Sequence, residues 1–424
     1  MKQQTPHLRE IPDVLVIGAG IVGLACAWSA LRDGASVTLV DRDFEGDRAS
    51  YGNAGGIAVT ESTPMSVHGL YWKAVKWLCD PLGPLALDWK HLPAALPWFM
   101  EFQRAGNKSR FREISLALAN LNNRVYDDIV PMFKDVDFME HFYQRGAMTV
   151  YETDAAFIAD QAEWNLKREL GVRWREMSGD EVRECEPSLA PVFRKGVFLE
   201  DWAHIGDPKL LVTRLRMRVQ QLGARFVKGA VRAIDPSDTL APAAVLESGE
   251  RTAGRRIVVA TGAWSAQLAR SIGDHVLLDS ERGYNTTLPA HGVSLSREVI
   301  FAERKFVATP LEIGVRIGGA AEFAGLKAPP NYKRSDALLA LGKKFLPGIN
   351  DAGAVKWMGH RPATPDSLPV IGRSPRVSSV VYAFGHGHLG LTQSATTGAL
   401  VADLLANRAP KTDLSPYAIG RFSK

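Results

Sequence analysis

Val14-Leu15-Val16-Ile17-Gly18-Ala19-Gly20-Ile21-Val22-Gly23, followed by Val37-Thr38-Leu39-Val40-Asp41, is the stretch that decides the fold. An apolar run enters a GxGxxG loop, a helical segment follows, and a second apolar run ends in an acid. That is the order of a dinucleotide-binding βαβ unit. Gly18 permits the tight turn, Gly20 lets backbone approach a pyrophosphate, and Gly23 lets helix pack close on strand. Ala19, Ile21 and Val22 complete the loop, where a helix N-terminus offers N–H groups to phosphate. Asp41, 18 residues after Gly23, is placed to accept hydrogen bonds from a ribose. Val14 to Leu31 carries no charge, but its three glycines make a poor spanning helix, and Glu10 and Asp13 precede it. A buried strand and helix explain it better.

A chain of 424 residues predicts two domains. With 46% hydrophobic and 23% charged residues, it has the composition of an ordinary globular protein. A net charge of +5 is mild, and no long Lys/Arg run argues for nucleic acid. Cys26, Cys79 and Cys185 are odd in number and lack metal-ligand spacing, which fits a reducing, cytoplasmic compartment.

Working outward, the helix after the loop is expected over Ile21 to Arg32, with a stop at Gly34. Ala49-Ser50-Tyr51-Gly52-Asn53-Ala54-Gly55-Gly56 reads as a loop whose small residues allow close approach to a flat ligand. From His68 to Phe102 the chain carries Tyr71, Trp72, Trp77, Trp89, Trp98 and Phe99 among prolines, with Lys73, Lys76 and Lys90 interleaved. That pattern suits an interfacial membrane contact or, equally, a lid. One helix is expected over 110–130, ended or kinked by Pro131, with others over 155–170 and 208–222. Arg256 to Ser265 repeats the opening pattern of a buried strand ending in a glycine turn, and residues 266–345 read as antiparallel strands with turns at Gly283, Gly314 and Gly318-Gly319.

The C-terminal part contains Trp357-Met358-Gly359-His360-Arg361-Pro362-Ala363-Thr364-Pro365-Asp366-Ser367-Leu368-Pro369-Val370-Ile371-Gly372. It continues with Ala383-Phe384-Gly385-His386-Gly387-His388-Leu389-Gly390-Leu391-Thr392 and a helix over 393–405. With GAGIVG and Asp41, ASYGNAGG and VVATGAWS, these motifs span essentially the whole chain. In this they resemble the FAD-dependent D-amino acid oxidase superfamily, and within it the bacterial D-amino acid dehydrogenases of the small-subunit type. The resemblance implies an α/β fold: a discontinuous Rossmann-like FAD-binding domain (10–105, 196–265 and 346–424) and an inserted α+β substrate domain on an antiparallel sheet (106–195 and 266–345). It implies that Gly18, Gly20 and Gly23 hold the pyrophosphate, Asp41 the ribose, and that Arg42 lies beside the adenosine. Ser50, Asn53, Ala54, Gly55 and Gly56 would run along pyrophosphate and isoalloxazine, and Val231 would meet the adenine. Thr261, Gly262 and Trp264 would pack on the cofactor, and Gly387, His388, Leu389, Gly390, Leu391 and Thr392 would face the flavin pyrimidine.

The implied reaction is oxidative deamination of a D-amino or imino acid by hydride transfer to flavin N5, D-proline and hydroxy-D-proline being credible substrates. Arg361 looks like the arginine that pairs with the substrate carboxylate, and a guanidinium fork suits that task; the alternative is an ion pair with Asp366. His388 falls at another basic position of related active sites, or is a packed turn histidine. Tyr284 is a candidate pocket wall or second carboxylate contact, its default being core packing. Tyr51 is a bulky departure in the small-residue loop and puts the pocket size in doubt. Electrons are expected to pass to a quinone or respiratory acceptor, with peripheral contact to the inner membrane through 68–102; the alternative is a soluble oxidase producing peroxide.

Overall fold

The structure, a computed structural model, describes residues 11–66, 80 and 83–422. Two large sheets organise it. The first has six strands in the order Arg225–Lys228, Val37–Asp41, Val14–Ile17, Arg256–Val259, Val380–Phe384 and Val370–Arg373. All its ladders are parallel except the last, between Val370–Arg373 and Val380–Phe384. Its central strands are largely apolar because helices Ile21–Arg32 and Ser394–Leu405 cover one face and smaller elements cover the other. Val14–Ile17 lies between two parallel partners that follow it in sequence. The crevice at the carboxyl ends, beyond Gly18, Ala260 and Gly385, is therefore the binding edge of the sheet.

The second sheet is largely antiparallel and runs Val355–Ala363, Asp279–Leu288, Gly314–Phe323, Phe306–Leu311, Glu298–Phe301, Ala147–Tyr151, Lys195–Leu199 and Trp174–Ser178, with Leu85–Leu87 pairing alongside Gly314–Phe323. Three expectations are corrected here. Strands Lys195–Leu199 and Val355–Ala363 overlap the segments assigned to the nucleotide half, and Leu85–Leu87 falls inside one, yet all three belong to this sheet. The reason is that composition shifts do not mark where a strand finds its partner. Gly283 and Gly318-Gly319 lie within long strands and are not turns. Residues 110–130 divide into two helices, Lys108–Asn122 and Val125–Asp135, and Pro131 is inside the second.

Helix Leu92–Ala105 closes the open side of the second sheet. Trp98 is buried on it, stacked with Phe102 at 5.1 Å, and its Nε1–H donates to the Ala363 carbonyl. Trp98, Phe99 and Phe102 of the aromatic segment are thus packed against this sheet, while Trp89 is exposed. Tyr71, Trp72, Trp77, Lys73, Lys76 and Cys79 lie outside the described residues. Among the described residues no helix is long and apolar enough to cross a membrane.

Candidate active site

The glycine loop is held by its neighbours before any ligand is considered. Gly18 has φ +105° and sits against the Ala260 carbonyl, and a Cβ on Gly23 would meet the Gly18 oxygen at 1.9 Å. Both positions require glycine, as the motif predicts. Asp41 caps the loop from the next strand: one carboxylate oxygen accepts from Ala19 N–H at 2.6 Å and the other from Asp43 N–H. Ser50 Oγ accepts from Ile21 N–H at 3.0 Å. The N–H groups of Gly20 and Val22 find no acceptor among the described residues and line the cavity.

Arg48, which sequence reasoning overlooked, donates to the carbonyls of Ala19 and Asp43 and so ties the loop to the second strand. Arg42 lies over the Trp264 ring at 4.1 Å. Val231 opens its strand beside Ala230 and Glu247 on the cavity wall. Thr261 shares a hydrogen bond with Ser265, and Gly262 takes φ +56° at the turn.

From this end a single cavity of about 1960 Å³ continues to the second sheet, larger than the roughly 300–1,000 Å³ of a drug-sized site. Asn53 folds the small-residue loop along it, donating to Ser50 C=O and accepting from Gly55 N–H. Asn285 and Arg316 hold the outer side of that loop through the carbonyls of Gly52 and Asn53. Arg316 has no carboxylate in ion-pair range among the described residues, and burial brings its pKa down to about 10. Tyr51 points away from the cavity into the core, between Arg48 and Lys209, and does not narrow the pocket.

At the far end, Arg361 crosses the sheet floor. A Cβ on Gly283 would meet the Arg361 guanidinium carbon at 2.4 Å, so that glycine exists to let the arginine pass. Between Arg282 and Tyr284 the register shifts: Ala320 and Ala321 together oppose Gly283, and Ala320 has φ +55°. This bulge turns the Ala320 carbonyl toward Arg361, an instance of a bulge re-aiming groups beside a site. Arg361 Nη1 donates to Glu281 Oε1 at 2.8 Å and to the Ala320 carbonyl at 2.9 Å. Nη2 has one long contact to Gly319, and Nε has no acceptor among the described residues. The Nε–Nη2 edge therefore remains for a bidentate carboxylate. Asp366, the alternative partner, is paired with Arg421.

The turn from Gly385 to Thr392 joins this floor to the first sheet. Gly387 N–H donates to the Pro362 carbonyl, beside Arg361, and Thr392 Oγ1 accepts from Ala58 N–H. The N–H groups of Gly390 and Leu391 have no acceptor among the described residues and face the cavity. His388 opens into it. Burial keeps its imidazole below the ordinary histidine range, with Arg361 and Lys167 pushing the same way against Glu61 and Glu281. His386 is buried, which brings its pKa down to about 3, and it shares a hydrogen bond with Thr397.

Tyr284 does not join Arg361. Its hydroxyl donates to Glu322 and accepts from Asn331 N–H, on the opposite face of the strand. Alternation along Asp279–Leu288 puts Glu281, Gly283 and Asn285 on the cavity face instead. Glu281 is the residue this rule selects and sequence reasoning missed.

The cavity thus offers unused N–H donors at both ends, a carboxylate beside the first set and a glycine-rich wall between. These features fit FAD. Comparison with known proteins agrees. Residues 13–404 match the family model described as FAD dependent oxidoreductase. A D-amino-acid oxidase of Bradyrhizobium diazoefficiens is 37% identical over 416 residues, covering 96% of this chain and 98% of that protein. Two solved structures share the fold. Glycine oxidase from Geobacillus kaustophilus has a TM-score of 0.73 at 20% identity over 97% of this chain and 99% of the other. L-proline dehydrogenase from P. horikoshii has a TM-score of 0.75 at 18% identity over 98% of each chain. The chain belongs to the FAD-dependent oxidoreductase family.

Proposed function

We propose that the protein oxidises the amine next to the carboxylate of a D-amino or imino acid, D-proline and hydroxy-D-proline being credible members of that class. The observation that carries the reading is Arg361, its Nη1 fixed by Glu281 and a bulge carbonyl and its Nε–Nη2 edge, with one 3.4 Å contact to Gly319, open to the FAD cavity. Such an edge orients a carboxylate plane, and orientation is most of what the protein must supply for this chemistry. The D configuration is supported by the 37% identical D-amino-acid oxidase. Bound FAD supplies the two-electron acceptor for the α-carbon hydride. His388, which opens into the cavity, is a hydrogen-bond partner for substrate. The free N–H groups of Gly390 and Leu391 favour negative charge developing beside them.

For the electrons' exit we favour a quinone at the membrane surface over oxygen. Helix Leu92–Ala105 turns Leu96 and Met100, each about half exposed, outward at the cavity mouth, and Trp89, shortly before that helix in sequence, is 68% exposed. An apolar rim with Lys90 and Lys327 nearby suits an interfacial contact and a lipophilic acceptor. The test is anaerobic bleaching of the flavin by paired D- and L-amino acids, followed by reoxidation with a short-chain quinone or with oxygen. Bleaching by D-amino acids and faster quinone reoxidation are expected. Bleaching by L-isomers alone overturns the substrate class, and rapid peroxide formation with no quinone preference overturns the acceptor.

A further inference from the structure

We propose that Glu281 receives the substrate's amino group, so that Glu281 and Arg361 form a two-point receptor for a zwitterion. The inference rests on the amino acid reading above and assigns its second recognition element. Glu281 and Arg361 are directly opposed across neighbouring strands, and one carboxylate oxygen of Glu281 takes the Arg361 Nη1–H. The other oxygen has no donor among the described residues, although the residue is only 5% exposed and faces the cavity.

Three buried carboxylates with structural roles behave differently. Asp366 uses both oxygens on Arg421, Glu186 uses both on Ser296 with Arg297 added, and Glu322 uses one on Tyr284 and one on Asn331. A half-satisfied buried carboxylate is costly unless a ligand completes it. Glu298 also leaves an oxygen toward the cavity but has no cation in ion-pair range among the described residues, and burial raises its pKa to about 8, so it stays largely protonated at neutral pH. Among these buried carboxylates, Glu281 is the one with a guanidinium on one side and the open cavity on the other.

The chemistry of such a pair suits one ligand class. The substrate carboxylate takes the free Nε–Nη2 edge of Arg361, and the ammonium on the adjacent carbon donates to the free oxygen of Glu281. An amine must lose its proton before its lone pair can form the C=N bond. In that step the N–H bond breaks, an O–H bond forms on Glu281, and the amine is left neutral for oxidation. A site that held only a carboxylate would have no use for an acid beside the arginine.

Glu281→Gln tests this in the FAD-loaded protein, read by perturbation of the flavin spectrum. Benzoate, a carboxylate without an amine, is compared with a D-amino acid under anaerobic conditions. The amino acid should bind at least about tenfold more weakly to E281Q, while benzoate changes by no more than about threefold. Glu281→Asp, which keeps the charge, should restore part of the amino acid affinity and serves if the glutamine variant does not fold. Equal weakening of both ligands would make Glu281 a support for Arg361 and overturn the proposal, as would unchanged binding of both. A wild-type protein that no amino acid bleaches fails at the earlier reading, which separates the two failures.

Discussion

The two ends of the cavity are built on opposite plans. At the nucleotide end, loop, helix and acid come from one run of 28 residues, Val14 to Asp41, and their contacts are backbone to backbone or backbone to carboxylate. At the reacting end, Glu281, Arg361, His388 and the Ala320 bulge come from distant parts of the chain and meet through strand pairing and charge. The first plan makes a site by excluding side chains. The second makes one by burying ionised groups and leaving selected atoms without partners. Binding of the cofactor and choice of the substrate should therefore fail separately.

Gly23→Ala is expected to have the largest effect. Its Cβ would meet a backbone oxygen, so strand and helix must separate. Destabilisation should exceed the roughly 1–3 kcal/mol of ordinary overpacking, and the purified protein should carry little FAD. A fully yellow protein with unchanged Tm would show that this end tolerates side chains after all. Arg361→Lys comes next. It keeps the charge beside Glu281 but removes the planar fork, and kcat/KM for the amino acid should fall about 10- to 100-fold, the equivalent of one charge-assisted hydrogen bond or more. FAD content should not change. Parallel loss of FAD would merge the two ends into one cooperative unit.

That contrast also explains what could be read in advance. The nucleotide end was legible because its constraints are local: Gly18 and Gly23 stand where backbone must approach backbone, and helix Ile21–Arg32 runs as its periodicity predicts. Arg361 was legible as part of a motif, though its partner proved to be Glu281 and not Asp366. Tyr284 was chosen for its chemistry, whereas the period of two along its strand selects Glu281, Gly283 and Asn285 for the cavity face. Applying that period from Gly283, whose lack of a side chain marks the crossing of Arg361, would have found Glu281. Arg48 and Arg316 left no comparable signal, because they act on carbonyls of a loop whose course only the fold defines.

Glu298 offers the smallest and most specific test of the electrostatic plan. It is 3% exposed, accepts from Trp202 Nε1, and occupies the space beside Gly56. Burial, moderated by Trp202 and reinforced by the charge of Glu61, raises its pKa from the ordinary value to about 8. Between the unfolded value of about 4.3 and that figure the folded state holds a proton that the unfolded chain has lost. The unfolded state thus binds fewer protons, and this group's contribution to stability, complete below the unfolded value, declines as pH rises through the window and is gone above it. Glu298→Gln keeps the shape and an acceptor for Trp202 but cannot ionise. Its Tm should lie near the wild type at pH 5 and above it at pH 8.5, by an amount that scales with ~1.4 kcal/mol per tenfold change in proton affinity. A Tm difference that does not move with pH would mean that the carboxyl has water or a cation beside it in solution, and that the reacting end is not as dry as its packing requires.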